Sequence, residues 1–175
     1  MKNIVATLSL LFATTLSAQV AIGKATVSSP AVSLEFYDKP DNTRGIILPW
    51  VTSTAAVTGA VNGTIVYNTA DRKVYVKYAS GWRDLSVDNT GTVTTTLQDS
   101  LTDQDTAKVL IGGDPSTDTT PGILVLADTN KAMVLPKVAS PHLNIVNPSP
   151  GMMVYDTTKK QLAVFNGTVW SFWKP

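Results

Sequence analysis

At 175 residues, with 14 basic and 13 acidic residues and a formal net charge of +1, the chain carries no electrostatic footprint for nucleic acid or an anionic membrane surface. It has no Cys and a single His, which excludes disulfide staples and leaves no donor set for a zinc site. Thr and Val are abundant, Glu35 is the only Glu, and Gly, Pro, Asn and Asp interrupt short apolar runs, so the composition reads as all-β.

The first residues read as an address. Lys2 gives a positive start, Ile4 opens an apolar stretch to Leu16, and Leu16-Ser17-Ala18 is a small-residue exit. That pattern predicts a signal peptide over 1–18, with a buried N-terminal strand or helix as the alternative. The mature chain would begin at Gln19 and be exported to the cell surface or the extracellular space, or retained in the periplasm. Removing Lys2 from the 14 basic residues leaves them equal to the 13 acidic ones, and a neutral surface favours self-association. No later segment reaches the roughly 18 consecutive apolar residues of a membrane helix, so no membrane span is expected.

Residues 19–86 form a first β-module. Gly63-Thr64-Ile65-Val66-Tyr67-Asn68-Thr69 is a strand running into a turn, and Trp82 closes the unit. In the run from Lys73 to Tyr78, Val74, Val76 and Tyr78 share one face while Lys73, Tyr75 and Lys77 share the other, the pattern of a half-buried strand. Residues 87–107 are rich in Thr, Asp and Gln and read as a linker, although Thr92-Val93-Thr94-Thr95-Thr96-Leu97 is β-prone enough to be a docking strand.

Residues 108–175 form a second β-module that repeats the first. Gly151-Met152-Met153-Val154-Tyr155-Asp156-Thr157 answers the run at 63–69, and Trp170 answers Trp82, with the same offset in both cases. Leu135-Pro136 answers Leu48-Pro49, and Ile111-Gly112 answers Ile22-Gly23. A fixed-period repeat means that each copy is one unit stacking on or pairing with its neighbour. Asn166-Gly167 between two β-prone runs predicts a two-residue hairpin in which Phe165 faces Thr168 and Ala163 faces Trp170. Pleating then places Ala163, Phe165, Trp170 and Phe172 on one face, with Leu162, Val164, Val169 and Trp173 on the other. Trp82, Asn166, Gly167 and Trp170 are accordingly expected to be structural.

Each copy is near the size at which a single core barely suffices without staples, metal or partners. Strands apolar on both faces predict packing of chain on chain, with Tyr75, Leu162, Val164 and Trp173 as candidate interface residues. A monomer of two mutually packed copies is the competing arrangement. The order Ile-Gly, Leu-Pro, Gly-x-x-Val-Tyr-(Asn/Asp)-Thr, then Asn-Gly-x-x-Trp resembles a module of Bacteroidetes-type secreted surface proteins and is similar to modules in phage tail-fibre-like proteins. It is carried by Ile22-Gly23, Leu48-Pro49, the 63–69 run and Trp82, and again by Ile111-Gly112, Leu135-Pro136, the 151–157 run and Asn166 to Trp170. The resemblance implies a structural or interaction subunit.

No motif supports catalysis. His142 stands beside Pro141 in a turn-like stretch, and no Gly-x-Ser-x-Gly elbow is present. Asp99, Asp103 and Asp105 lack the Gly and distal Glu of a calcium loop and read as solvated acids. Asp99-Ser100, Asp105-Thr106, Asp118-Thr119 and Asp156-Thr157 resemble O-glycosylation acceptors of the same bacterial group, yet they are also ordinary turn formers. The expectation is therefore a non-enzymatic, cofactor-free structural protein that self-associates or docks into a fibre-like surface assembly. The alternative is a carbohydrate-binding or adhesive module using Tyr67, Tyr75, Tyr78, Trp82, Trp170 and Trp173 as sugar platforms.

Overall fold

The computed structural model describes residues 19–102, 104 and 106–174; the expected signal peptide over 1–18 lies outside them, as do Asp103 and Asp105. The described chain is almost entirely β. Its strands are β1 (Val20–Ile22), β2 (Val32–Phe36), β3 (Ile46–Ile47), β4 (Trp50–Val51), β5 (Ile65–Asn68), β6 (Lys73–Tyr78) and β7 (Gly81–Asp84). They continue as β8 (Val109–Ile111), β9 (Leu124–Leu126), β10 (Ala132–Val134), β11 (Lys137–Val138), β12 (Met152–Asp156), β13 (Gln161–Phe165) and β14 (Trp170–Trp173).

The repeat is visible strand by strand. β4-β5-β6-β7 and β11-β12-β13-β14 have the same order, a parallel pair followed by an antiparallel meander. A parallel pair needs a crossover rather than a hairpin. Here it is a loop carrying one helical turn, Thr54–Ala56 in the first copy and Pro141–Asn144 in the second. β1 with β2, and β8 with β9, are likewise equivalent parallel pairs. Backbone signs repeat too: Gly63 and Gly151 have φ of 90° and 77°, and Arg72 and Lys160, at matching turn positions, have φ of 63° and 54°. Those turns are held by a carboxyl or amide oxygen at the strand end. Asn68 Oδ1 accepts the Ala70 N–H at 3.0 Å, and Asp156 Oδ1 accepts the Thr158 N–H at 2.9 Å. Asp156-Thr157 is thus a working turn former.

The sequence suggested two tandem modules joined by a linker, but the copies share strands. β10 of the second copy pairs in parallel with β2 of the first, and β3 of the first pairs antiparallel with β12 of the second. The main core is also joint: Leu48, Tyr67, Val74 and Leu85 pack with Met153 and Val164. A smaller cluster of Val138, Ile145, Val154 and Ala163 fills the other face of the second meander, with Met152 and Trp170 against it. Copies too small for separate cores thus build one between them.

Residues 92–97 form no strand, yet the start of this connection is docked. Thr92 Oγ1 donates to the Gly167 carbonyl at 3.0 Å, Asn166 Nδ2 donates to Asp88 Oδ1 at 3.1 Å, and Val93 packs on the main core.

The final hairpin departs from the expected register. Phe165 pairs with Trp170 and Ala163 with Phe172, so the loop holds residues 166–169 instead of two. The cause is Asn166, whose Oδ1 accepts the N–H groups of Thr168 and Val169 at 2.9 and 2.8 Å. That side-chain turn replaces the type I′ turn, which would need positive φ at both central residues; only Gly167, at 101°, has it. A shift of two preserves pleat parity. Trp170 and Phe172 therefore keep the face of Ala163 and Phe165, and Trp173 keeps that of Leu162 and Val164.

Gly167 is constrained twice, by its positive φ and because a Cβ there would overlap the Thr92 carbonyl oxygen. Gly167→Val should cost at least about 1–3 kcal/mol of backbone strain, read as a lower midpoint in urea unfolding. An unchanged midpoint would show that residue 92 does not sit against this turn.

Candidate functional site

The inner faces of the two meanders are built from equivalent residues. Ile65 corresponds to Met153, Val74 to Leu162, Val76 to Val164, and Leu85 to Trp173, and all of these pack in or against the main core. Leu48 and Leu135 extend the correspondence upstream. One pair breaks it. Tyr67 is completely buried, whereas its equivalent Tyr155 is 36% exposed.

Tyr67 is seated by the second copy. Its hydroxyl donates to the Asn166 carbonyl at 2.8 Å, its ring lies 6.1 Å from that of Trp50, and burial pushes its pKa up to about 12. Gly151 lies so close beneath it that a Cβ there would stand 2.8 Å from Tyr67 Cβ. Around this seat, Leu48 N–H donates to the Gly151 carbonyl at 3.1 Å and Trp50 Nε1–H donates to the Pro150 carbonyl at 2.9 Å. At the far end, the Ser171 hydroxyl and the Trp173 indole N–H donate to the Ser86 and Leu85 carbonyls. The Arg83 guanidinium lies 5.5 Å from the Trp173 ring centre.

The contacts of the Tyr67 seat, unlike those at the far end, run one way. The first copy supplies Leu48, Trp50 and Tyr67, and the second supplies Pro150, Gly151 and Asn166. The reciprocal set would join Leu135 and Tyr155 to Gly63 and Tyr78. Yet space for a Cβ at Gly63 is open, and Tyr78 is exposed.

The proposed interface residues fall into two groups. Leu162, Val164 and Trp173 do share a face, but it is turned toward the chain's own first copy. Val164 is buried in the joint core, with Leu162 and Trp173 half-buried against it. The assignment of Val164 to a contact between chains is therefore corrected: its partners are intrachain. Tyr75 belongs to the opposite, outer face of the first meander, where its hydroxyl donates to Asp71 at 2.6 Å. Burial, then that hydrogen bond, raises its pKa. Among the expected structural residues, Asn166 is buried, Trp170 is half-buried with its ring 5.3 Å from Phe165, and Trp82 is half-buried.

Residues 114–174 match the family model of a phage tail-like trimerisation region. The matched segment contains β9 to β14, so it holds the whole second meander. It supports self-association of this chain as a structural homo-oligomer. Neither a curated protein nor a solved structure matches.

An open cleft of about 560 Å3 is bordered by Gly23, Tyr37, Asp41, Asn42, Arg44 and Pro136. Two of its polar side chains are engaged by the chain itself: Asn42 Nδ2 donates to the Tyr37, Arg44 and Lys137 carbonyls, and the Tyr37 hydroxyl to Asp41. His142 meets Phe172 edge-on, with ring centres 5.8 Å apart. No candidate metal cluster occurs among the described residues, and no helix of them is long and apolar enough to cross a membrane.

Composition singled out Glu35 but gave it no role. The structure buries it completely on β2, with Lys24 Nζ 3.0 Å from Oε1 and the Ser28 N–H donating to Oε2 at 2.6 Å. Lys24 also lies 2.9 Å from Asp38. Burial alone would raise the Glu35 pKa, but the bonds from Ser28 and Lys24 outweigh it and hold the carboxyl below its usual range. Hydrogen bonding to Lys24 likewise lowers Asp38, against partial desolvation. Since both folded-state pKa values are depressed, their stabilisation is full above the unfolded values, near 4, and is lost as pH falls through the folded ones. Thermal melting should show a drop on acidification below pH 4 that is smaller in Glu35→Gln. An equal drop would remove Glu35 as a source.

Trp173→Ala should destabilise both copies, by about 2–4 kcal/mol for a half-buried core aromatic. Circular dichroism showing unchanged stability would return Trp173 to a purely intermolecular role.

Proposed function

We propose that this chain is a non-enzymatic structural subunit whose second copy drives homotrimerisation, and that the trimers form or join a fibre-like assembly outside the cytoplasm. The observation that carries the reading is the match of residues 114–174 to a trimerisation region. Physical support comes from apolar side chains left in solvent around the second copy, among them Ile123, Leu124, Tyr155, Val169 and Phe172. Such side chains, on a domain with little core to spare, favour burial between chains.

Export rests on the pattern of residues 1–18, and the module resemblance supports a Bacteroidetes-type surface location. The carbohydrate-binding alternative needs adjacent exposed aromatics. Trp50, Trp82, Trp170 and Trp173 are all at least partly buried, which weighs against a Trp platform.

Light scattering on the chain from Gln19 onward should give three times the mass of one chain across the micromolar range. A single-chain mass throughout that range would contradict the proposal.

A further inference from the structure

The chain shows in one place what the matching place elsewhere lacks. In the first copy, Tyr67 is seated by Gly151 and the turn at Asn166 of the second. In the second copy, Tyr155 occupies the equivalent strand position, with the same backbone support: Tyr155 N–H donates to the Pro136 carbonyl at 2.9 Å, as Tyr67 N–H does to Pro49 at 2.9 Å. Its side chain, however, stands 36% exposed. The elements that would seat it are Gly63, equivalent to Gly151, and Tyr78, equivalent to Asn166. Both are present in every chain and both are accessible: a Cβ at Gly63 or Gly81 would meet nothing within 4 Å, and Tyr78 is 46% exposed, its carbonyl accepting only the exposed Lys77 ammonium at 2.9 Å, which an incoming phenol would replace or join.

We infer that Tyr155 of one chain is seated by the Gly63 and Tyr78 region of a second copy of this chain, repeating between chains the contact that Tyr67 makes within one. The argument is one of quasi-equivalence. A contact made by two similar units in one direction leaves a complementary socket and plug at the two ends, and such a heterologous contact either closes into a ring or propagates. Burying the half-exposed ring of Tyr155 and the exposed side chain of Tyr78 removes apolar surface from water. Gly63, like Gly151 beneath Tyr67, lets the incoming ring approach the backbone directly. Tyr155 lies within the segment that matches a trimerisation region, so its surface belongs to the part tied to self-association. The inference rests on the self-association proposed above and names the residues that would make it.

The test places a benzophenone amino acid at Tyr155 in the full chain. The side chain is already exposed, so the substitution should leave the fold intact, as circular dichroism would verify. Irradiation should yield a covalent dimer, and mass spectrometry should place the junction in residues 61–81 of the second chain. An oligomer by light scattering whose cross-links map elsewhere, or that gives none, would overturn this inference and leave self-association standing. A single-chain mass would remove both. Tyr78→Asp should lower the cross-link yield at least tenfold if the socket is correct, and an unchanged yield would also overturn it.

Discussion

The burial of Tyr67 between the two meanders is the contact on which the rest of the structure depends. A phenol ring is large enough to form the centre of a small core, but its hydroxyl must be satisfied where water is excluded. The Asn166 carbonyl satisfies it, and Gly151 allows the backbone close enough to do so. Fixing those two points fixes the position of the second meander against the first. Leu48, Val74, Leu85, Met153 and Val164 then close around the ring. Neither copy holds enough apolar surface for this alone, so duplication supplies the missing wall.

The same hairpin turn carries a second duty. Asn166 spends its Oδ1 on the loop, its Nδ2 on Asp88 and its carbonyl on Tyr67. One residue thus sets the register of β13 against β14, anchors the connection leaving the first copy, and caps the central phenol. Buried polar groups tolerate such crowding only when each donor and acceptor is used. Gly167, next in the chain, and Thr92 of the connecting segment complete the arrangement, and their contact explains why that segment is held at its start although it forms no strand.

Much of this was legible in the sequence, and the misses have identifiable causes. The repeat, the all-β class, the meander after Gly151 and the grouping of Leu162, Val164 and Trp173 on one face follow from period-2 patterning and matched residues. The Asn-Gly signal located the turn but misjudged its length, because local pattern does not reveal where a side-chain oxygen will bond. The parallel pairs β4-β5 and β11-β12 were missed since two-residue strands give no periodicity. Val164 was placed between chains because apolar character on both faces of a strand reads the same whether its cover is another chain or another copy within the same one. Glu35 was noticed only as a rarity; its burial depends on Lys24 and Ser28, which no spacing rule connects to it.

Residues 114–174, which match a phage tail-like trimerisation region, are not an independent bead but part of a copy that forms half of a joint core. Under the proposed self-association, assembly and folding are coupled, since the surface turned outward is positioned by the one turned inward. Native-state hydrogen exchange tests the joint core most directly. Protected amides of β5–β7 and β12–β14 should open together, with a common free energy and denaturant dependence. Separate opening of the two meanders, each with its own free energy, would contradict the account.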